Sequence, residues 1–406
     1  MDPVQAQYER WVYPPKSYDL STMPLASPEW HHLDLRTLYW LFWPTAPFRD
    51  DLDILVAGCG SLAAAAQAYL FPRSRVVGID ISRASLAHEE FLQKKHGLAN
   101  LTLRHCPVEE VASLNADFDF IICYGVLHHL VDAAAGLRAL GQVLRPTGVI
   151  DVMVYGKEGR VGVTMLQEAF RVMGLKQDLE GVQAVKDTLA ALPPHHPVQH
   201  FRHLAARDLA YDEGLVDTFL HRRDEPFTCD GCLDLTRDAG LGFQGWKENG
   251  LYHLDARLPP QDPLWRYLRS LSLRDYWQAV EKLDSTIAAH WFHVCRPERA
   301  EADYLVRFND DAFLDYIPIA RVSETAPADP FKGTPAMIAR PPFPAVGLDE
   351  WRAAVFSHID GAKSVRQCLA ATGLAVDAAA TTEFGRDFFG LLWRVGYVLF
   401  RLPAQR

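Results

Sequence analysis

The stretch 51–82, DLDILVAGCGSLAAAAQAYLFPRSRVVGIDIS, constrains the fold of this chain more than any other stretch. Its apolar run Ile54–Ala57 predicts a strand that is buried on both faces, as in a parallel sheet. Gly58 and Gly60 follow that run directly, and the alanine-rich segment after them predicts a helix. A second apolar run then ends in Asp80. This order of strand, glycine turn, helix, strand and acid predicts the first half of an α/β sheet.

The positions of the glycines and the acid predict a nucleotide-type ligand. Gly58 permits a tight turn, and Gly60 lets the backbone approach a ligand without a Cβ atom in the way. The N-terminus of the following helix offers unpaired N–H groups to an anion. Asp80 lies about twenty residues beyond Gly58, where an acid accepts hydrogen bonds from ribose hydroxyl groups. Because Ala63 also completes a dinucleotide fingerprint, this stretch alone leaves the ligand open.

The charge balance and the cysteine content exclude several classes of protein. The 406 residues include 41 basic and 51 acidic residues, for a net charge of −10, and no basic run is present. We therefore expect no nucleic-acid partner. The sequence has no apolar run long enough to span a membrane, and residues 1–30 do not have the pattern of a signal peptide. We therefore expect no membrane partner. The seven scattered cysteines indicate reduced thiols and a cytoplasmic protein.

Three more strands follow in the same alternating pattern. Apolar runs predict them at Leu101–Arg104, Phe118–Tyr124 and Val149–Tyr155. Helices are predicted from Ser82 to His96 and from Asp132 to Leu144. Five strands that alternate with helices predict a doubly wound parallel sheet of the α/β class.

The sequence of residues 51–156 resembles the class I S-adenosylmethionine (SAM) methyltransferases. The segments that carry the resemblance are ILVAGCGS, VVGIDIS, FDFIICYGVLHHLVD and LRPTGVIDVMVYG. The motif GVLHHL after the fourth strand is not typical of dehydrogenases. It therefore counts against a nicotinamide cofactor. The resemblance implies a Rossmann-like sheet of seven strands with SAM as the cofactor. Residues 157–300 resemble an uncharacterised bacterial branch of these enzymes.

The resemblance also implies which residues hold the cofactor. Gly58 and Gly60 would lie under the methionine part of SAM, and Asp80 would hold the ribose. Two positions depart from the family pattern, because Val56 stands where an acid is usual and Leu62 where a third glycine is usual. The N-terminal arm is expected to compensate at the amino end of SAM. The predicted cofactor-binding residues are Tyr13, Gly58, Cys59, Gly60, Asp80, Ile81, Pro107, Val108, Tyr124, Gly125 and His128.

Methyl transfer depends mainly on the alignment of acceptor and methyl group, because the sulfonium of SAM is already activated. A base is needed only where the acceptor must lose a proton. Of the adjacent His128 and His129, we predict His128 for the pocket and His129 for packing or a helix cap. The predicted catalytic residues are His128, Tyr124, His196 and His200.

Two further clusters have some of the composition of a metal site. His196, His200 and His203 would share one face of a helix and could then bind zinc. Prolines beside them disfavour a helix at the start of that segment. Cys229 and Cys232 form a lone pair, whereas structural zinc needs four ligands. We therefore expect no metal in this protein.

The chain divides into four predicted segments. These are an N-terminal arm or cap at 1–50, a methyltransferase domain at 51–300 with a helical insert at about 157–225, a linker at 301–346 and a winged-helix-like module at 347–406. The arm is predicted to hold an aromatic helix within 5–15 that stops before Pro14, and a second aromatic helix at 30–43. The aromatic side chains of the first helix would either pack on the core or close over the cofactor. The insert follows the fifth strand and would roof the acceptor pocket. The C-terminal module is predicted to end in a β-hairpin.

The sequence thus favours a SAM-dependent methyltransferase that acts on an oxygen, nitrogen or carbon atom of a small molecule. A protein or peptide methyltransferase is the first alternative, because the rickettsial lysine methyltransferases have a comparable multidomain plan. A non-catalytic SAM-binding regulator is the second alternative. A small-molecule acceptor is favoured over a protein, and homodimerisation is left open.

Overall fold

The computed structural model describes residues 2–23, 35–328, 334–341, 343–373 and 377–403, and they form two compact units. Within these residues, the first unit comprises Met1–Arg36, Arg49–Phe243 and Glu281–Arg299. The second unit comprises Thr37–Phe48, Gln244–Val280 and Ala300–Arg406. No helix of the described residues is both long and apolar enough to cross a membrane.

A seven-stranded sheet organises the first unit. Its strands are β1 Asp53–Ala57, β2 Arg75–Asp80, β3 Leu101–His105, β4 Phe118–Tyr124, β5 Leu144–Tyr155, β6 Gly242–Trp246 and β7 Ala289–Cys295. Their order is β3-β2-β1-β4-β5-β7-β6. Strands β1 to β5 are parallel, and β7 is antiparallel to β5. The predicted doubly wound, Rossmann-like fold is therefore confirmed.

In the described part of the chain, ten helices start within the first unit or at its border. They are α1 Pro3–Arg10, α2 Leu35–Phe42, α3 Ala63–Leu70, α4 Arg83–His96, α5 Ala133–Gln142, α6 Val161–Val172, α7 Leu179–Ala191, α8 Val198–Leu204, α9 Asp212–Phe219 and α10 Cys229–Asp238. Ser82 caps α4 through its hydroxyl oxygen, which accepts from the backbone N–H of Ser85 at 3.1 Å. Gly97 ends that helix with a φ of 62°.

Helices α6 to α9 occupy the stretch predicted as a helical insert. They enclose a separate apolar core that includes Phe170, Val185 and Phe219. Trp11 of the N-terminal arm is buried in the same core. Because an amphipathic helix is stable only when its apolar face is covered, this shared core explains why the insert and the arm fold together.

Two predicted helices of the arm differ in extent from the observed ones. Helix α1 ends at Arg10, whereas the helix predicted within 5–15 was expected to stop just before Pro14. Tyr13 precedes Pro14, and a residue before proline is disfavoured in the helical region, so the chain leaves the helix early. Helix α2 covers the end of the predicted helix at 30–43, and residues 30–34 lie outside the described residues.

The second unit combines short strands with helices. Its strands are β8 Ile317–Ala320, β9 Glu324–Ala326, β10 Ala336–Ala339, β11 Val346–Leu348 and β12 Val398–Arg401. Its helices are α11 Trp265–Leu268, α12 Leu273–Asp284, which runs past its border, α13 Glu350–Phe356, α14 Val365–Ala371 and α15 Ala378–Arg394. Strands β9, β10 and β11 form an antiparallel sheet, and β12 pairs with β8 in a second sheet.

The structure differs from the prediction at 301–346 and at the C-terminus. The described part of 301–346 is not a linker, because it holds strands and buries Phe313 and Ile338 in the core of the second unit. Strand β12 pairs with β8 rather than forming a hairpin, because its buried apolar residues find no second strand beside them in sequence. The winged-helix-like module is therefore not confirmed.

Candidate active site

A cavity of about 350 Å³ lies beyond the carboxyl ends of strands β1 to β4. This is the edge where open α/β sheets bind their ligands. Eight predicted cofactor-binding residues line it, namely Tyr13, Gly58, Gly60, Asp80, Ile81, Pro107, Val108 and Gly125. The sequence motifs that predicted a cofactor site therefore meet at one cavity.

The glycine turn between β1 and α3 forms the floor of this cavity. Gly58 and Gly60 have φ angles of 69° and 57°, which glycine adopts without strain. A Cβ atom on Gly58 would lie 2.3 Å from Cγ2 of Val126. A Cβ atom on Gly60 would lie 2.9 Å from the backbone oxygen of Tyr13. Both positions thus require glycine, and at Gly60 the close neighbour is the N-terminal arm.

Asp80 is tied to this turn by two backbone hydrogen bonds. Its Oδ2 accepts from the N–H of Gly60 at 2.8 Å, and its Oδ1 accepts from the N–H of Ser82 at 2.7 Å. Burial raises the pKa of Asp80 above its ordinary value. Each carboxylate oxygen can accept more than one hydrogen bond, so both keep capacity for hydroxyl groups of a ribose. The geometry fits the predicted role.

A second buried acid supports the start of α3. The two carboxylate oxygens of Glu89 accept from the N–H groups of Ala64 and Ala65, at 3.0 and 2.8 Å. Burial raises the pKa of Glu89 to about 8. Val56, where the family pattern has an acid, is buried in β1. Glu89 of α4 therefore supplies an acid behind the turn, at a position other than the one in β1 that the family pattern predicts.

The N-terminal arm packs on the cofactor side of the sheet. The side-chain amide of Gln5 donates to the backbone oxygen of Ile81 at 3.0 Å. The hydroxyl of Ser61 donates to the backbone oxygen of Pro14 at 2.7 Å. The carboxylate of Glu9 accepts from the N–H of Arg83 at 2.7 Å and so caps α4. The arm is thus bonded to the segments that follow β1 and β2.

The positions of His128 and His129 are the reverse of the predicted ones. His128 is buried and is not part of the cavity lining, whereas His129 lines the cavity. Nδ1 of His128 accepts from the N–H of Tyr155 at 3.3 Å, and the two rings stack at 3.9 Å. Burial lowers the pKa of His128 well below its usual range. A pairing with β5 thus holds His128 inside the protein.

The remaining predicted residues lie outside this cavity lining. The hydroxyl of Tyr124 donates to Asp151 at 2.5 Å, and Cys59 is buried beneath the turn. His200 is exposed on α8, and His196 precedes that helix and accepts from the N–H of Val198 at 3.1 Å. His196 and His200 therefore do not line this cavity, because α8 packs into the insert core through other residues.

A buried polar network beside the cavity was missed from the sequence. The hydroxyl groups of Tyr8 and Tyr155 donate to the two carboxylate oxygens of Asp217, at 2.8 and 2.9 Å. His221 stacks on His129 with ring centroids 3.8 Å apart. Asp217 and His221 belong to the segment DTFLHRRDEP of the insert. The presence of an acid and a histidine in one short segment was the available signal. The residues that contact them are distant in sequence, so the network could not be predicted.

The nitrogen and oxygen atoms of this network are of the types that bind metal ions. Ligand-type atoms of His129, Asp217 and His221 lie within 4.8 Å of one another. However, Nδ1 of His221 accepts from the N–H of Arg223 at 3.0 Å, which places the hydrogen on Nε2. A histidine that binds a metal instead donates from its other nitrogen. The same conflict applies to His128, so the hydrogen bonds of these rings do not fit a metal.

A second cavity, of about 630 Å³, lies within the second unit. Its wall includes Trp265, Tyr276 and Arg394. Arg394 pairs with Asp255 at 2.9 Å, so part of its charge is already balanced. None of its described wall residues belongs to a glycine turn after a parallel strand. Although this cavity is larger, we assign the cofactor to the first one.

Comparison with known proteins agrees with the geometry of the first cavity. A family model described as "Methyltransferase domain" matches residues 55–150. This chain contains a class I methyltransferase domain. The fold is similar to that of PKMT2 from Rickettsia typhi in complex with AdoHcy, with a TM-score of 0.64 and 15% identity over 97% of this chain and 78% of that chain.

Two relatives in sequence complete the comparison. An uncharacterized protein of Synechococcus is 27% identical over 307 residues, which are 74% of this methyltransferase and 73% of that protein. A ubiquinone biosynthesis O-methyltransferase of Acinetobacter baumannii is 29% identical over 96 residues, 23% of this chain and 40% of that protein. The predicted enzyme class, a methyltransferase, is confirmed, and the family match and the fold match are both consistent with SAM as the predicted cofactor.

Proposed function

We propose that this methyltransferase transfers the methyl group of SAM to a compact organic acceptor. The observation that carries the proposal is the arm over the cavity, where Tyr8 and Tyr13 are wall residues and the backbone of Tyr13 lies beside Gly60. The volume of about 350 Å³ is at the small end for ligand pockets. A site of this size beneath the arm favours a small acceptor over a length of polypeptide.

The residues of this chain have distinct roles in the proposal. Asp80 would accept from the ribose hydroxyl groups, and Ile81 and Val108 would contact the adenine. Gly58 and Gly60 would let the backbone approach the methionine part. When bound, SAM supplies a methyl group that its sulfonium activates. The chain then has to hold the acceptor in line with this methyl group and exclude water.

The cofactor assignment is tested by calorimetric titration of SAM and of NAD into the wild-type protein and an Asp80→Ala variant. We expect binding of SAM and no binding of NAD. Loss of a charged hydrogen-bond partner costs about 1.5–3 kcal/mol, so the variant should bind SAM roughly 10- to 150-fold more weakly. Unchanged affinity in a folded variant would show that Asp80 does not hold the ribose.

A protein or peptide side chain is the second candidate acceptor. It is favoured by the fold match to PKMT2, which extends over 97% of this chain and so includes the second unit. The two candidates differ in the size of the product. Labelled methyl groups from SAM, transferred in a host lysate and sorted by size, should appear in the small-molecule fraction under our proposal. Label in polypeptides would favour the second candidate, and binding without transfer would indicate a regulator.

A further inference from the structure

His129 is a wall residue of the first cavity, and a hydrogen bond fixes the position of its proton. Its Nδ1 lies 2.8 Å from the backbone oxygen of Arg223. Because a carbonyl oxygen can only accept, Nδ1 of His129 must carry the hydrogen. Nε2 therefore keeps its lone pair, on a side chain that lines the cavity. A neutral imidazole in this state has the form that a general base requires.

Two buried carboxylates lie beside this imidazole. A carboxylate oxygen of Asp217 and one of Asp224 each lie within 4.8 Å of a ring nitrogen of His129. Oδ1 of Asp224 is buried and has no hydrogen-bond partner among the described residues. Two carboxylates therefore adjoin the side chain that lines the cavity.

The nearby arginines are each paired with an acid. Arg160 lies 3.2 Å from Asp224, and both side chains are almost fully buried. Arg223 lies 3.0 Å from Asp2 of the arm, near the rim of the cavity. Since each guanidinium has a carboxylate partner, neither adds an unbalanced positive charge next to His129.

The other titratable neighbours remain neutral. Burial lowers the pKa of His128 and of His221 well below the usual range, so neither ring competes for a proton. Burial also raises the pKa of Tyr8 well above its usual range, so its hydroxyl stays protonated. Of the three histidines in this cluster, His129 is therefore the one with an available lone pair at the cavity.

We propose that His129 accepts the proton of the methyl acceptor, and that the acceptor atom is the oxygen or nitrogen of an O–H or N–H group. This inference rests on the proposed function. The acceptor atom forms a bond to the methyl carbon as the carbon–sulfur bond of SAM breaks, and the electron pair of that bond stays on sulfur. The proton passes from the acceptor atom to Nε2 of His129 and is then released to solvent.

The principal test is the variant His129→Asn. Its amide nitrogen can still donate to the oxygen of Arg223, but nothing replaces Nε2. We expect transfer of labelled methyl from SAM to the active lysate fraction to fall by about 100-fold or more. We expect the wild-type rate to fall toward acid pH, because a protonated imidazole cannot accept a proton, and we expect the variant to lack this fall. His203→Gln, on the exposed side of α8, is the matched control. It should retain the wild-type rate and the wild-type dependence of that rate on pH.

Two further measurements keep this inference separate from the proposed function. Nitrogen-15 NMR of labelled histidine should show the hydrogen of His129 on Nδ1 and that of His221 on Nε2, with no substrate present. Calorimetry should show SAM affinity of His129→Asn within about twofold of the wild type, and His129→Gln serves if the first variant does not fold. A hydrogen on Nε2 of His129, an undiminished rate or a methylated carbon in the product overturns the inference. Absence of SAM binding in the wild type instead overturns the proposed function.

Discussion

The hydroxyl group of Tyr8 in the N-terminal arm donates a hydrogen bond to Oδ1 of Asp217 in α9, at 2.8 Å. Asp217 is buried and receives its other hydroxyl donor from Tyr155 of β5. The arm, the insert and the sheet therefore meet at one carboxylate. Loss of one donor leaves a buried oxygen without its partner, which costs about 1–3 kcal/mol.

The first prediction follows from this bond. We expect Tyr8→Phe, which keeps the ring, to lower the free energy of unfolding in urea by about 1–3 kcal/mol. Tyr18→Phe is the matched control, because the side chain of Tyr18 is 62% exposed. The control should change stability by less than about 0.5 kcal/mol. Equal effects of the two variants would mean that the bond to Asp217 contributes nothing.

The second prediction concerns the whole arm. Deletion of residues 1–15 removes the cap that Glu9 gives to α4 and the buried ring of Trp11. The seven-stranded sheet makes none of its strand pairs with the arm, so we expect it to persist with a lower melting temperature. Transfer of labelled methyl should fall sharply, because the cavity loses one wall. Full activity after truncation would show that the arm is not a lid, and loss of folding would make it structural.

The third prediction separates backbone strain from contact at the glycine turn. Gly60 and Gly97 have similar φ angles, 57° and 62°. A Cβ atom would meet the backbone oxygen of Tyr13 at 2.9 Å in the first case, and nothing within 4 Å in the second. Both alanine variants carry a strain of about 1–2 kcal/mol. We expect only Gly60→Ala to weaken SAM binding as well, and calorimetry of the two variants compares them directly.

The sheet could be predicted from the sequence because its signals are local. The run Ile54–Ala57 and the glycines after it define a buried parallel strand and its turn within a few residues. The acid at Asp80 could be placed for the same reason, since its spacing from the turn is fixed by the helix between them. These elements can be predicted from a few neighbouring residues, without knowledge of their contacts to distant parts of the chain.

The assignment of His128 and His129 could not be made in this way. The two residues are adjacent and identical, so no local pattern distinguishes them. Tyr155 holds one ring inside the protein, and the backbone oxygen of Arg223, 94 residues away, orients the other. The same limit applies to β12, whose partner β8 lies far upstream. Contacts between distant residues decided both cases.

The fourth prediction is a pH dependence of stability that arises from Glu89. Its pKa in the folded protein is about 8, above its ordinary value of 4.5. The folded state therefore holds a proton that the unfolded state releases, so this contribution to stability is present below about pH 4.5 and is lost as the pH rises through about 8. We expect a decline on the order of 4 kcal/mol over this range.

Urea unfolding at a series of pH values tests this dependence, with Glu89→Gln as the control. The glutamine cannot ionise, so its free energy of unfolding should lack this decline, although it is expected to be lower at acid pH. The difference between the two proteins isolates Glu89 from other groups, including Asp80. Parallel pH curves for wild type and variant would show that Glu89 keeps an ordinary pKa in the folded protein.

The last prediction concerns Arg340, in the stretch that the sequence indicated as a linker. Its two terminal nitrogens donate to the two carboxylate oxygens of Glu248, each at 2.7 Å. Arg321 lies 3.3 Å from the same carboxylate, and burial lowers the pKa of Arg321 to about 10. All three side chains are less than one-fifth exposed. This is a buried, bidentate ion pair inside the second unit.

Removal of one partner from a buried ion pair leaves an incompletely paired charge, at a cost of about 3–5 kcal/mol. Because Arg321 still faces Glu248, we expect Arg340→Ala to lower the free energy of unfolding by about 3 kcal/mol, near the low end of that range. Arg352→Ala is the control, because Arg352 is 39% exposed and lies 3.5 Å from Asp349. It should cost less than about 1 kcal/mol, as for other surface pairs. If both variants lose the same stability in urea, the ion pair between Arg340 and Glu248 does not hold the second unit together.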